Sequence, residues 1–521
     1  MKDHDQTIQS NPLLDSLFGK FGFSKLTEIQ KKASPIILQK KDCLVIAPTG
    51  SGKTECSVIP IFSLLKNSKR AGKIKALYIT PLRALNRDVF RRITNYAHEN
   101  QLTIEIRHGD TSQKDRKKIT ENPPDILITT PETLVILLTQ VKMLTALSEL
   151  EWIVIDEVHE LLSSERGSQL SLSIERLELN SKYPLSKVGL SATVGNFDEA
   201  GKFVVGTKRK CQIIRDTSVR KYDVEIKYVE GTISDVAEKI IEYVLDLNLD
   251  SPILLFTNTR GEAEFLASVL KQKSSIPIEL HHGSLSKEVR EETEQTLRDG
   301  KRGIVVCTSS LELGLDIGSV ELVIHYGSPR QVSKFVQRIG RSKHNRDESA
   351  QGLIITNNPD DEFEAQAILE RIQEGSIEEQ KIHDGSLDVL AHHLVGLSMQ
   401  IGEVSVEQAF ELVTKSYSFR NLKIQDLIDV LDLLDSNYLI FFDRTKMTYW
   451  KKGGSFKYYF ENLSTIPDIL KFKVFDSVGK KIIGSLDQRF VGDHGDSGNI
   501  FVLKGSQWRI LNVDEKSFSV N

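Results

Sequence analysis

Short apolar runs recur along the first two thirds of the chain. Residues 44–47, 76–80, 126–129, 152–156 and 188–191 are each continuous enough for a buried strand, and helical patterns separate them. That alternation predicts a parallel sheet with helices on both faces. The rhythm returns from Ser251 in PILLFTNTR, IPIEL, GIVVCTS, ELVIHY and GLIIT. A linker near 215–226 is the expected hinge between the two halves. Beyond Pro359 the pattern changes. Leu387, Leu390, Leu394, Leu397 and Ile401 fall at helical spacing, as do Ile424, Leu427, Ile428, Leu431 and Leu434. The run YLIFF at 438–442 reads as a following strand, so a winged helix is expected here. From Lys471 onward KFKVFD, GKKIIGSLD, NIFVLKG and QWRILNV alternate between Gly and Asp turns, which predicts antiparallel β structure. The expected domains are 1–215, 216–375, 376–455 and 456–521.

Composition narrows the picture. The chain has 521 residues and a net charge of -4, so any nucleic-acid surface has to be a local groove. Cys43, Cys56, Cys211 and Cys307 are scattered without metal-type spacing, and because three of them lie in or beside apolar runs they read as buried free thiols in a reducing compartment. The start MKDHDQ carries no apolar signal region, and no apolar stretch approaches the ~20 residues that span a bilayer. A soluble cytoplasmic protein without membrane contact is expected.

The chemistry begins at VIAPTGSGKTE, residues 45–55. An apolar strand runs into Thr49, Gly50, Ser51 and Gly52, and Lys53 and Thr54 open a helix. Glycines let backbone N–H groups curl around phosphate oxygens, and the helix N-terminus adds partial positive charge. Lys53 is expected on the β- and γ-phosphates and the Thr54 hydroxyl on Mg²⁺. Ala47 replaces the usual first glycine but sits at a strand end. In WIVIDEVHE, Asp156 and Glu157 end a strand, where one acid holds Mg²⁺ and its neighbour positions or deprotonates the attacking water. The second half has no phosphate loop. Its FVQRIGRSKHNR carries Arg338 and Arg341, candidates to neutralise charge on the γ-phosphate, a role worth roughly 10³–10⁵ in rate. Two such sheets, only one with a loop, suggest a nucleotide clamped between lobes. In VVCTSSLELGLDIG, Thr308, Ser309 and Ser310 suit backbone phosphates of a strand, and Gly314 and Asp316 turn back toward the nucleotide.

Other features read plainly. His281-His282 and His392-His393 lack acid or cysteine partners at ligand spacing. GDHGDSGN at 492–499 reads as a polar turn. FKYYF at 456–460 reads as core packing at a domain boundary, with base stacking the alternative. Trp450 is a candidate for base stacking or strand separation.

In chain order the sequence carries FSKLTEIQ, APTGSGKT, TPLRALNRD, RHGD, TTPETL, DEVHE, SAT, LLFTNTR, HHGSLS, TSSLELGLDIG and QRIGRS. This set resembles a superfamily 2 helicase, most closely the Lhr (large helicase-related) family of DEVH-type ATPases. LDVLAHHLVGL and YYFENLSTIPD extend the resemblance beyond the motor. It implies two RecA-like parallel-sheet domains in tandem, a winged-helix domain and the start of a small β-rich domain. It assigns Gln30 to adenine, Lys53, Thr54 and Asp156 to phosphates and Mg²⁺, and Glu157 to the base. His159, with Ser191 and Thr193, couples the site to lobe motion, and Gln337, Arg338 and Arg341 complete it. Arg83, Gly109, Thr130, Arg260, Thr308 and Ser309 line the nucleic-acid track. The implied activity is ATP-dependent 3′–5′ translocation on single-stranded DNA, with unwinding of DNA or RNA:DNA duplexes and a role in repair. Two departures stand out. Lys343 and His344 occupy the usual glycine and second-arginine positions, which leaves the role of Arg346 open. The family core also runs past residue 521, so a fragment and a short member are both open. The rival readings are an RNA helicase of DEAD-box or Ski type and a nucleic-acid annealer or clamp with incidental hydrolysis.

Overall fold

A computed structural model describes residues 12–48, 50–66, 72–192, 194–216, 222–249, 251–312, 320–342, 349–463, 471–478, 481–514 and 519–520. The first sheet has seven strands: β1 Cys43–Ile46, β2 Ala76–Ile79, β3 Ile104–Arg107, β4 Ile126–Thr129, β5 Trp152–Ile155, β6 Ser186–Ser191 and β7 Gln212–Arg215. Their order is β3-β4-β2-β5-β6-β1-β7, and every pair is parallel. The five inner strands are buried along their whole length, which explains their continuous apolar runs. The edge strands β3 and β7 are only partly buried, and the apolar pattern missed both.

The second sheet comprises β8 Tyr222–Tyr228, β9 Pro252–Phe256, β10 Ile278–His281, β11 Gly303–Cys307, β12 Leu322–Tyr326 and β13 Ala350–Thr356. The order is β10-β11-β9-β12-β13-β8, again all parallel. Both sheets carry helices between successive strands and are RecA-like. The linker expected at 215–226 overlaps β8, which begins at Tyr222, and residues 217–221 lie outside the described residues.

The chain forms two compact units that are not consecutive in sequence. One contains Met1–Thr217 and Glu379–Ile466, the other Ser218–Glu378 and Pro467–Asn521. In the first unit the helices Leu387–Ile401, Val406–Lys415 and Ile424–Ser436 combine with β14 Val404–Ser405, β15 Ile440–Asp443 and β16 Thr448–Lys451 as a winged helix. Its core includes Val135 and Leu172 of the first RecA-like domain. Arg176, fully buried, fastens the two together. Its guanidinium donates to Gln400 Oε1 at 2.9 Å, the Gly396 carbonyl at 3.0 Å and the Tyr459 hydroxyl at 3.2 Å.

The boundary expected at 456 lies further on. Gly454–Glu461 is a helix whose Tyr459 is fully buried and stacks on His392 with ring centroids 4.1 Å apart. Ser455 and Tyr459, one helical turn apart, form its buried face, so the segment closes the winged-helix core. The β-rich part begins with β17 Lys471–Asp476 and β18 Lys481–Asp487, followed by β19 Ile500–Leu503, β20 Ser506–Arg509, β21 Val513–Asp514 and β22 Ser519–Val520. Most pairs are antiparallel, but β17 and β22 run parallel. Residues 492–494, read as part of a turn, end a helix at Gln488–His494. Phe472, Val474, Leu503 and Val520 share one core with Leu255, Leu266 and Leu280 of the second RecA-like domain. Among the described residues no helix is long and apolar enough to cross a membrane.

Candidate functional site

In the first unit the chemistry-bearing residues gather where the parallel strands end, the edge at which open α/β sheets place ligands. β1 lies between β6 and β7, and its exit leads to the loop. Gly50 and Gly52 have φ of 74° and 86°, a region that disfavours side chains. Gly52 caps the helix Lys53–Leu65 without any side-chain hydrogen bond, so the first N–H groups of that helix stay available to an anion. Ser51 donates its hydroxyl to the Pro48 carbonyl at 2.7 Å. Lys53 is buried, and its Nζ has no hydrogen-bond partner among the described residues. A buried ammonium in that condition is costly unless an anion joins it. Thr49 lies outside the described residues.

Gln30 roofs the loop. It sits third in the helix Glu28–Leu38, whose capping box fixes it: Thr27 N–H donates to Gln30 Oε1 at 3.0 Å, and Gln30 N–H to Thr27 Oγ1 at 3.2 Å. A side chain at Gly52 would collide with Gln30 Nε2, so the two positions are packed against each other.

β5 stands two strands from β1, separated only by β6. At its end Asp156 accepts from the Tyr78 hydroxyl at 2.7 Å and from the Glu157 N–H at 2.9 Å. Burial and the Glu157 charge push the Asp156 carboxyl up to about 6. Thr54, buried in the first turn of the helix, sits close enough to the same Tyr78 phenol to act on its ionisation, as Asp156 does. A crowded, charge-starved carboxylate beside a hydroxyl fits a divalent cation that keeps most of its ligands as water and phosphate oxygens. Glu157 is buried and held at φ 49°, a strain of roughly 1–3 kcal/mol of the sort found at functional positions.

His159 joins neighbouring strand ends. Its Nδ1 lies 3.3 Å from the Ser191 hydroxyl at the end of β6, accepts the Ala192 N–H at 3.3 Å, and lies 3.6 Å from Glu157 Oε2. Burial holds the imidazole down at about 4, so it is neutral near pH 7. Thr193 lies outside the described residues. Tyr78 escaped the sequence reading. It sits inside an apolar run, and only its register beside Val154 brings it to Asp156.

Further along the same edge, Arg83 opens the helix after β2 and pairs with Asp110 at 2.6 Å. A β-carbon at Gly109 would come 2.8 Å from Arg83 Nη2, so these two track candidates adjoin. Thr130 ends the β4 exit with its hydroxyl on Thr133 at 3.2 Å.

In the second unit Arg260 opens the helix after β9 and donates to Ser284 Oγ at 2.7 Å. Thr308 and Ser309 follow β11; Thr308 is buried and Ser309 exposed, while Ser310 donates to the His281 carbonyl at 2.9 Å. Gln337 and Arg338 lie on the buried face of the helix Val332–Ile339. Arg338 is committed within its own unit: it pairs with Glu312 Oε2 at 3.2 Å, and its Nη1 contacts His325 Nε2. A phosphate-binding role for Arg338 would require release of Glu312. Arg341 donates to the Glu312 carbonyl at 2.9 Å. Glu312 thus organises both arginines, which no spacing rule indicated. Gly314, Asp316, Lys343, His344 and Arg346 lie outside the described residues.

The histidine pairs do find acids or bases in space. His281 lies 3.3 Å from Glu294, and His282 lies 2.7 Å from Glu264. His392 is within 2.9 Å of the Tyr459 carbonyl, and His393 is 3.4 Å from Arg176. Trp450 on the wing is half-buried and stacks on Phe441 at 4.5 Å, with the planes 24° apart.

Residues 27–200 match the DEAD/DEAH box helicase family model, 235–345 the helicase conserved C-terminal domain, and 370–521 the winged helix domain of large helicase-related proteins. The chain is 34% identical to the ATP-dependent helicase Lhr-Core protein 2 of Thermococcus barophilus, over 96% of this chain and 62% of that protein. It is 35% identical to the ATP-dependent helicase Lhr-Core of Methanocaldococcus jannaschii, over 94% of this chain and 61% of that protein. The chain thus spans about three fifths of the length of these relatives. The solved structure of Mycobacterium smegmatis helicase Lhr bound to ssDNA and AMP-PNP superposes with a TM-score of 0.78 at 32% identity, over 88% of this chain and 62% of that one. The DNA-bound DUF1998 helicase MrfA shares the fold, with a TM-score of 0.79 at 21% identity.

Proposed function

The chain belongs to the large helicase-related family, and from that premise we propose that it is an ATP-driven motor. We read its track as single-stranded DNA followed 3′ to 5′, its work as the opening of DNA or RNA:DNA duplexes, and its setting as DNA repair. The observation that carries the ATPase reading is the buried Lys53 Nζ, without a hydrogen-bond partner among the described residues, behind a glycine loop and beside the Asp156–Glu157 pair. Single-stranded DNA and AMP-PNP held by the M. smegmatis relative support the choice of substrates.

In this reading the loop N–H groups and Lys53 hold the β- and γ-phosphates, and the Gln30 amide selects adenine. Thr54 and Asp156 would hold Mg²⁺, which supplies charge neutralisation on the phosphates. Glu157 orients a water on the γ-phosphorus. As the water oxygen bonds phosphorus, its proton passes to the Glu157 carboxylate, the bond to the bridging oxygen breaks, and ADP leaves. Arg341 neutralises charge developing on the transferred group. His159 carries the state of Glu157 to the Ser191 strand end. Arg83, Gly109, Thr130, Arg260, Thr308 and Ser309 grip a strand by its backbone without reading bases, and Trp450 stacks on one.

ATPase stimulation by single-stranded DNA and by RNA, with unwinding of tailed DNA:DNA and RNA:DNA duplexes of both polarities, tests this. Glu157→Gln should retain ATP binding and lose turnover by roughly 10²–10⁴-fold. Normal turnover in Glu157→Gln would reject the base assignment. Stimulation by RNA alone would favour the RNA-helicase reading.

A further inference from the structure

The first unit contains a cavity of about 430 Å³ away from the glycine loop, at the exit of the edge strand β3. It opens among the helices Gln113–Glu121, Pro131–Leu137 and Val141–Leu147. Four cations line it, Arg107, Arg116, Lys117 and Lys142, against one carboxylate, Glu121. That carboxylate faces Lys117 at 3.8 Å, an exposed pair of little energetic weight. Arg107 is the centre of the feature. Only 5% of it is exposed. Its Nη1 donates to Thr120 Oγ1 at 3.2 Å and its Nη2 to Gln140 Oε1 at 2.9 Å, both neutral acceptors. Among the described residues no carboxylate lies within ion-pair distance of it. Burial and the nearby Arg116 pull its guanidinium down to about 10, the mark of a cation without compensation.

Buried guanidinium groups are ordinarily paired with an anion. Here two neutral acceptors fix the orientation of the fork and leave the charge unanswered, while three more cations converge on the same space. Guanidinium forks match phosphate oxygens in geometry. The volume falls in the range of small-ligand pockets, so it accommodates more than a single ion. We propose that this cavity binds a phosphate group at a place separate from residues 50–54. The group can come from two sources, a phosphate of a nucleic-acid strand or a free phosphorylated small molecule. Gly109 lines the cavity and accepts from Arg116, so a strand lying on that glycine would pass beside it.

The test is calorimetric titration of the full chain with pyrophosphate after the loop is saturated with a non-hydrolysable ATP analogue. A parallel anisotropy titration uses a single-stranded oligonucleotide. Arg116→Gln combined with Lys142→Gln removes two cations from the rim, and Arg107→Gln removes the buried one. Each change should weaken phosphate binding about tenfold or more, since a charge-assisted hydrogen bond is worth roughly 1.5–3 kcal/mol. Loss of pyrophosphate binding identifies a free phosphorylated ligand. Loss confined to the oligonucleotide identifies a strand phosphate. ATPase activity is not a readout, so failure of the motor reading would leave this result legible. If a folded Arg116→Gln/Lys142→Gln protein, judged by its thermal melt, binds both probes as the parent does, the proposal is overturned whatever Arg107→Gln does to folding.

Discussion

The exit edges of the two sheets differ in how their charges are answered. In the first unit Lys53 is buried without a hydrogen-bond partner among the described residues, Asp156 is pushed up to about 6, and Glu157 sits at φ 49°. In the second unit Arg338 is matched by Glu312, His281 by Glu294 and His282 by Glu264. Glu264 also accepts the N–H groups of Lys504 and Gly505 at 2.8 and 2.6 Å, tying the β-rich segment to its sheet. The first edge keeps Lys53 in a state that a bound anion satisfies. The second pairs the charges of Arg338, His281 and His282 internally and becomes a frame that presents a few chosen side chains. A binding edge is therefore recognised by unmet electrostatic demand more than by the number of its charges.

Four experiments bear on that contrast, and the first has the largest effect. Arg341, on the self-satisfied unit, should be the exception that acts on the nucleotide. Arg341→Ala is expected to lower turnover by roughly 10³–10⁵-fold while ATP affinity stays within several-fold. Most of the ATPase surviving in a steady-state assay would move that role to another arginine. Arg338→Met should instead act on stability. It strands Glu312 in the interior at a cost of roughly 3–5 kcal/mol, read from denaturant unfolding of the second unit. Unchanged stability would mean that the pairing is not what holds that edge.

Asp156 gives the third experiment. Its folded-state carboxyl titrates above the ordinary range, so the folded chain holds that proton longer than the unfolded one. Without divalent cation, stability should fall as pH rises from about 4 to about 6. Asp156→Asn should remove that slope and stabilise the protein by roughly 1–3 kcal/mol at pH 7, though turnover is lost. Melts at pH 4.5 and 7 in a chelator measure this, and a parallel slope in parent and variant would contradict it. The smallest expected effect is Lys53→Met. Loss of a buried ammonium that forms no hydrogen bond among the described residues should not lower the unfolding free energy, against the large loss at Arg338. A penalty comparable to that at Arg338 would erase the contrast between the edges.

The parts of this architecture that were legible in sequence are those where burial is complete. The inner strands announced themselves as apolar runs, and the glycine loop, Asp156-Glu157 and the arginine helix by spacing. Edge strands β3, β7 and β8 were silent because a half-exposed strand alternates polar and apolar residues, as YDVEIKY does at β8. Tyr78, Glu312 and Arg107 were silent for another reason. Each acquires its role from a neighbour elsewhere in the chain; Arg107 and Glu312 lie within the motifs RHGD and TSSLELGLDIG, but their partners could not be read from them. The assignment of the winged helix to the first unit and the β-rich part to the second was equally hidden. It rests on Arg176 and on a shared apolar core, which serial order cannot reveal.

Arg176 also constrains how the protein is made. Its partner Tyr459 lies 283 residues downstream. At about 5–20 residues per second, a ribosome needs on the order of 15–60 s to deliver it. Throughout that interval the face of the first RecA-like domain that will receive the winged helix stands open to solvent. A nascent chain with a purely greasy face would spend that time exposed to aggregation and to chaperones. A guanidinium on that face is comfortable in water and becomes a demanding hydrogen-bond donor only once it is covered. The fastening is thereby quiet during synthesis and exacting at its completion.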